Sequence, residues 1–336
     1  MRSSRRVKGL PAPPRAGRRA GLQAALLWLM LGSLAGPTAC STGTAEPLTV
    51  PSPVPSPVPL PVPLPVPLPV PSPVPLPRSL PPPLRLPQPS AGGLLLLGEV
   101  HDNADGHAQR LALLQRWIDQ GARPALLMEQ FDRELQPAID RLLADPVAPG
   151  DALALHARTE ALVALTLTPG TPAGWDWSLY RPVLRLALHN RLRLVAANVS
   201  RSDARAVIQQ GLAARGFEAA VPPDIAQAQA QEIERSHCGA IDAPMARRMA
   251  TAQVARDQFM AQQLQAQGAD GAVLLAGNGH VRRDVGVPRW LQPAQRARAQ
   301  VIGFVEPGNA EPGAFDQAIE VPAAARADPC GAMRQR

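Results

Sequence analysis

Leu94-Leu95-Leu96-Leu97-Gly98-Glu99-Val100-His101 is echoed far downstream by Val273-Leu274-Leu275-Ala276-Gly277-Asn278-Gly279-His280. Each is an apolar run long enough for a buried strand, broken by glycine and closed by G-x-x-H. In a parallel α/β sheet, residues just past strand ends collect in one crevice, whatever their separation along the chain. The echo therefore predicts two imidazoles facing one cleft, with Glu99 beside one of them. Histidine is a frequent metal ligand and a frequent general base, so this pairing is where chemistry is expected.

Working outward, apolar runs alternate with helical patterns. Strands are expected at Leu94–Leu97, Ala125–Met128, Leu192–Ala196 and Ala272–Ala276, with later ones at Gln300–Val305 and Ala318–Val321. Between them, helices are expected over Gly106–Gln120, Asp132–Ala144, Ala152–Leu165 and Trp177–His189, with Pro182 in the first turn of the last or kinking it. From Ser202 to Gln267 the pattern is helical, with breaks near Pro222-Pro223 and His237-Cys238-Gly239. Such alternation predicts an α/β fold, a largely parallel sheet flanked by helices with the paired G-x-x-H motifs at strand C-terminal ends. Aromatics are few, so Leu, Val and Ala must build the core.

Four of these strands end in polar residues: Glu99 with His101, Glu129, Asn198, and His280 after Asn278. Two histidines, His101 and His280, and two carboxylates, Glu99 and Glu129, suit a divalent first-row metal (Mn, Co, Fe or Zn). They equally suit general acid–base chemistry around a bound substrate. Asp102, Asn103 and Asn198 are also good N-cap residues, so part of the pattern is structural. His107 is placed to extend the site. His156 and His189 fall within amphipathic patterns, whereas His237 lies in a break where a loop can present it. Tyr180 is the only tyrosine; it packs as a buried phenol or serves as a haem ligand.

The chain before this domain has a different character. Residues 1–39 contain a basic start, an apolar stretch from Gly21 to Ala35, and small residues leading to Cys40. This is the pattern of an export signal peptide, with Pro37-Thr38-Ala39-Cys40-Ser41 resembling a bacterial lipoprotein cleavage site that would lipidate Cys40. The expectation is an exported lipoprotein that meets the membrane only through its anchor, at the outer membrane or cell envelope.

The full chain has 34 basic and 27 acidic residues, a net charge of +7. The segment 1–39 carries seven basic residues and no acidic one, which leaves the mature chain balanced at 27 against 27. A basic surface for nucleic acid is therefore not expected. Residues 40–90 are rich in Pro-Val, Pro-Leu and Pro-Ser repeats. Proline fixes φ and removes the N–H, so this segment reads as a polyproline II stalk reaching on the order of 120 Å. The folded domain is then 91–336. Apart from Cys40, the cysteines are Cys238 and Cys330, which in an exported protein most simply form a disulfide.

Several motifs occur together: Leu97-Gly98-Glu99-Val100-His101-Asp102-Asn103, Met128-Glu129-Gln130-Phe131, Tyr180-Arg181-Pro182, Ala196-Ala197-Asn198 and Ser236-His237-Cys238-Gly239. They continue as Ala252-Gln253-Val254-Ala255-Arg256-Asp257 and Ala276-Gly277-Asn278-Gly279-His280-Val281, with Gly286-Val287-Pro288. In this order, over about 92–293, the chain resembles the ChaN family of haem-binding lipoproteins, in a superfamily shared with Tiki metalloproteases, TraB proteins and erythromycin esterases. The resemblance implies a non-catalytic haem binder in iron uptake, with tyrosine or histidine ligation and a homodimer around the haem. The candidates for haem contact are His237, Tyr180, His101 and His280, and haem-uptake machinery is the implied partner. The superfamily also implies an alternative, a metal-dependent hydrolase with Glu99, His101, Glu129 and His280 as catalytic residues.

Overall fold

A computed structural model describes Leu86, residues 92–167, 174–267, 271–309 and 311–326, and Cys330. The expected signal peptide and Cys40 lie outside the described residues, as does the stalk except for Leu86, which packs against the core. Among the described residues no helix is long and apolar enough to cross a membrane.

The elements run β1 (Leu94–Glu99), α1 (Ala104–Asp119), β2 (Ala125–Asp132), α2 (Gln136–Leu143), α3 (Ala152–Ala164), α4 (Trp177–His189), β3 (Leu194–Asn198) and α5 (Arg201–Gln210). They continue with α6 (Pro223–Ser236), α7 (Ala243–Gln265), β4 (Ala272–Gly277), α8 (Asn278–Val281), α9 (Pro293–Arg298), β5 (Ala299–Val305) and β6 (Gln317–Glu320). The six strands form one sheet in the order β3-β2-β4-β1-β5-β6, and every pairing is parallel.

Successive strand residues point to opposite faces, and both faces are covered. Leu95, Leu97, Leu126, Met128, Val273 and Leu275 belong to one core with Leu113, Trp117 and Leu184 from the helices. Leu94, Leu96, Leu127, Leu274 and Ala276 belong to a second core with Met260 and Leu264 of α7. This is why the strands read as unbroken apolar runs rather than as alternating ones. Each fully buried leucine contributes roughly 1.5–3 kcal/mol. Five of the described helices begin at side-chain caps: Asn103, Asp151, Asp176, Ser200 and Asp242 each accept a backbone N–H of the first turn.

Two local expectations change, and one left open between two placements is narrowed. The expected strand Ala125–Met128 extends to Asp132, because β2 leaves β4 after Met128 and resumes pairing with β3 at Asp132↔Asn198 through a register shift. Glu129 is thus the first residue beyond the β2–β4 ladder while still inside β2. Asn198 is not a helix cap: it ends β3 and accepts the N–H of Val199, and Ser200 caps α5. Pro182 lies inside α4 rather than in its first turn. A disulfide joins Cys238, in the turn after α6, to Cys330.

Candidate functional site

The carboxylate of Glu99, the last residue of β1, is the buried hub of the site. Its Oε1 accepts the Tyr180 hydroxyl at 2.5 Å and lies 2.8 Å from His101 Nδ1, with Gln130 Nε2 at 3.4 Å. Its Oε2 pairs with the Arg110 guanidinium and stands 3.8 Å from His107 Nε2. Burial alone would push this carboxyl up. The Arg110 charge, the His101 hydrogen bond and the nearby imidazoles outweigh that effect and hold it at about 2.

His107 and Arg110 sit three residues apart on the buried face of α1. His107 Nε2 donates to the His101 carbonyl at 3.1 Å, and Nδ1 accepts from Arg110 Nη2 at 3.0 Å. Burial, reinforced by the Arg110 charge, pulls His107 down to about 4, so it stays neutral. His107 therefore supports the His101 backbone from below and does not extend the site surface.

His101 itself reaches outward, with 49% of its side-chain surface exposed. Glu99 engages Nδ1, which leaves Nε2 for the cleft. Trp175 packs edge-on against the ring, with centroids 5.0 Å apart. Burial disfavours the imidazolium, but the Glu99 hydrogen bond and the Glu129 charge raise the His101 pKa overall.

The second motif builds a matching pair. In α8, His280 Nδ1 lies 2.6 Å from Asp257 Oδ1, and its Nε2 lies 3.5 Å from Glu129 Oε1. Glu129 Oε2 accepts the Gly277 N–H at 2.8 Å. Asp257, fully buried in α7, also accepts Gln229 Nε2 at 3.2 Å. Burial pushes Asp257 up to about 6 against the pull of His280. Burial opposes charging of His280, yet Glu129 and Asp257 together raise its pKa.

The glycines of the two motifs have a shared geometric cause. Because Gly98 pairs with Ala276 and Glu99 with Gly277, the motifs lie side by side and each covers the other. A Cβ on Gly98 would collide with the Asn278 side chain, and one on Gly277 would lie 3.0 Å from His101 Cε1. Each glycine makes room for the polar residue of the opposite strand.

Above this floor opens a cleft of about 1100 Å³. Glu99, His101, Gly277 and His280 line its base, α6 residues from Ala228 to Ser236 form one wall, and Arg282, Glu311 and Phe315 stand at other sides. Ile233, Val285, Val305 and Phe315 give it apolar surface.

The expected site residues are placed as follows. Glu99, His101, Glu129 and His280 come together. Tyr180 is fully buried beneath them, committed to Glu99 and walled by Trp175 and Trp177. Burial first, then the Glu99 charge, keep its hydroxyl protonated well above the ordinary tyrosine range. His237 caps the C-terminus of α6, with Nδ1 2.8 Å from the Ile233 carbonyl, just beyond the residues that form the cleft wall.

Among the described residues, no group of three or more His, Cys, Asp and Glu side chains is arranged to hold a metal ion. The divalent-metal alternative on His101, Glu129 and His280 is thus unsupported. One donor atom of each is already engaged, His101 Nδ1 by Glu99, Glu129 Oε2 by the Gly277 N–H and His280 Nδ1 by Asp257. What remains is a pair of histidine–carboxylate couples able to hold protons and present imidazole to a ligand.

Three residues here carried little signal. Arg110 and Asp257 are charges on buried helix faces, polar interruptions among apolar positions such as Leu113 and Leu114 or Val254 and Met260; Asp257 ends one of the quoted motifs, but nothing in it assigned a partner. Trp175 lies outside any regular element.

Residues 88–291 match the family described as haem-binding uptake, Tiki superfamily, ChaN. No curated protein matches the chain significantly. Among solved structures, ChaN of Campylobacter jejuni, described for cofacial haem binding, superposes with a TM-score of 0.53 at 17% identity, covering 68% of this chain and 86% of that one. The type III effector HopBA1 gives a TM-score of 0.37 at 12% identity, covering 69% and 88%. An erythromycin esterase, EreC, in its open conformation gives 0.36 at 15% identity, covering 73% and 80%. The last two are too distant to inform the site.

Proposed function

We propose, from the premise that this chain belongs to the ChaN family of haem-binding uptake proteins in the Tiki superfamily, that it binds haem in the G-x-x-H cleft. The observation that carries the reading is the pairing of that membership with His101, a half-exposed imidazole at the base of a cleft of about 1100 Å³. The volume and apolar lining suit a flat macrocycle. Glu99 holds Nδ1, which sets the ring orientation and leaves Nε2 to face an iron, as a partner on the second nitrogen does for ligating histidines generally. His280 is a further imidazole at the base, and His237 lies just beyond the wall. Tyr180 acts through Glu99 rather than by touching the ligand. Bound haem would supply an iron centre whose ligation is read directly by its absorbance.

The finer reading is an exported protein, lipid-anchored through Cys40, with its domain carried on the proline-rich stalk. It would act in haem or iron uptake, passing haem to uptake machinery, with a second copy completing the haem site. The N-terminal sequence and the family support this role.

A hemin titration followed by absorbance tests the central claim. A saturable Soret band is expected, shifted or weakened at least tenfold in affinity by His101→Ala. In Tyr180→Phe the spectrum should be retained. A titration showing only unsaturable, nonspecific absorbance would reject the reading, and a spectrum changed by Tyr180→Phe but not by His101→Ala would reassign the ligand.

A further inference from the structure

Two arginines face the cleft from different sides. Arg235 belongs to the α6 wall, and Arg282 follows the second histidine motif immediately. Glu311, in the segment between β5 and β6, reaches both: one oxygen pairs with Arg282 Nη2, and the other lies 4.0 Å from Arg235 Nη2. All three residues line the cleft.

The two arginines do not depend on Glu311 for charge balance. Asp284 engages Arg282 through two contacts, Nε to Oδ1 at 2.9 Å and Nη2 to Oδ2 at 2.5 Å. Glu232 pairs with Arg235 at 2.5 Å. Glu311 is the additional carboxylate, with 46% of its side chain exposed, whereas Arg282 is only 15% exposed. A guanidinium fork accepts one carboxylate much as it accepts another. Exchange of Glu311 for an incoming carboxylate keeps the same number of carboxylates on Arg282 and strips no extra water from it, while the displaced, half-exposed Glu311 side chain turns to solvent.

We propose that Glu311 holds the place of a ligand carboxylate, and that Arg282 with Arg235 forms the subsite selecting a carboxylate-bearing ligand. The inference rests on the haem reading of the cleft and deepens it: the ligand groups received here are the propionates. Glu311 acts as a built-in competitor that sets affinity, and the arginines set specificity for the free acid over a neutral ester.

The full protein is titrated with hemin, with hemin dimethyl ester and with iron-free protoporphyrin IX, reading the Soret band for the iron compounds and fluorescence for the iron-free one. Wild type is expected to favour the diacids over the ester. Glu311→Gln should bind both diacids about threefold to fivefold more tightly, the scale of one exposed ion pair, with the ester unchanged. Arg282→Gln should lose the preference for the diacid. Arg235→Gln, at a more exposed position, should reduce it and serves as the check if Arg282→Gln is poorly folded.

Equal affinity of wild type for diacid and ester, or unchanged or weaker diacid binding in Glu311→Gln, would overturn the proposal. Hemin and protoporphyrin IX both failing to bind would overturn it together with the haem reading. Protoporphyrin IX bound with the Glu311 dependence, but hemin giving no ligation spectrum, would uphold the carboxylate subsite and reject iron ligation.

Discussion

Glu99 is surrounded by donors from three elements and the turn after β1, and its charge holds them together: the Tyr180 hydroxyl, His101, Gln130 and the Arg110 guanidinium. Replacing it by Gln leaves a buried guanidinium without its counter-charge, which costs about 3–5 kcal/mol. Chemical denaturation of Glu99→Gln should show this loss; a change under 1 kcal/mol would mean that Arg110 finds another partner. The same carboxylate predicts acid lability. Its folded pKa of about 2 lies below the ordinary glutamate value of 4.5, so its contribution is fully present above pH 4.5 and disappears as pH falls toward 2. That shift corresponds to about 3 kcal/mol. Wild type should lose stability over this window, and Glu99→Gln should lack that part of the loss. At this scale the sequence was informative about polar residues that directly follow apolar runs. Glu99, His101 and His280 announce themselves that way, whereas Arg110 and Asp257 gain their roles from which helix face packs beneath the sheet ends.

At the level of elements, the parallel pairing of β1 with β4 gives the two G-x-x-H segments their meaning. His101 lies across Gly277, so Gly277→Ala would press a methyl group against the imidazole at 3.0 Å and tilt it from its Glu99-bound orientation. The expected result is weakened hemin affinity with a stability loss of about 1–3 kcal/mol, the cost of overpacking. Unaltered hemin affinity in a folded Gly277→Ala protein would show that the His101 orientation is not what the cleft uses. The strands themselves were legible because burial on both faces demands continuous Leu, Val and Ala. The extent of β2 was not, since Glu129-Gln130 has the look of a strand end and only the renewed pairing of Asp132 with Asn198 keeps the strand going. The role of Asn198 was misjudged for a related reason: a good capping side chain also satisfies a neighbouring N–H, and Ser200 stands two residues closer to the helix it caps.

For the whole molecule, the proposed anchor places function at a surface: a lipidated Cys40 would tether the domain while the proline-rich segment sets its reach. Cys40→Ala should then move the protein from the membrane fraction to the soluble exported fraction, and persistence in the membrane fraction would require another attachment. The order of the sheet carries a separate consequence for how such a chain comes to be folded. Among the described residues Leu94–Glu99 is the first strand made, yet its neighbours on both sides, β4 and β5, begin only at Ala272 and Ala299. During synthesis, this leucine-rich strand therefore waits with both edges open until nearly the whole domain has followed it. Long-range parallel pairing of this kind is slow, and an open apolar strand is a template for aggregation. The segment that places the first histidine motif at the centre of the fold is thus the one most dependent on protection before the fold exists.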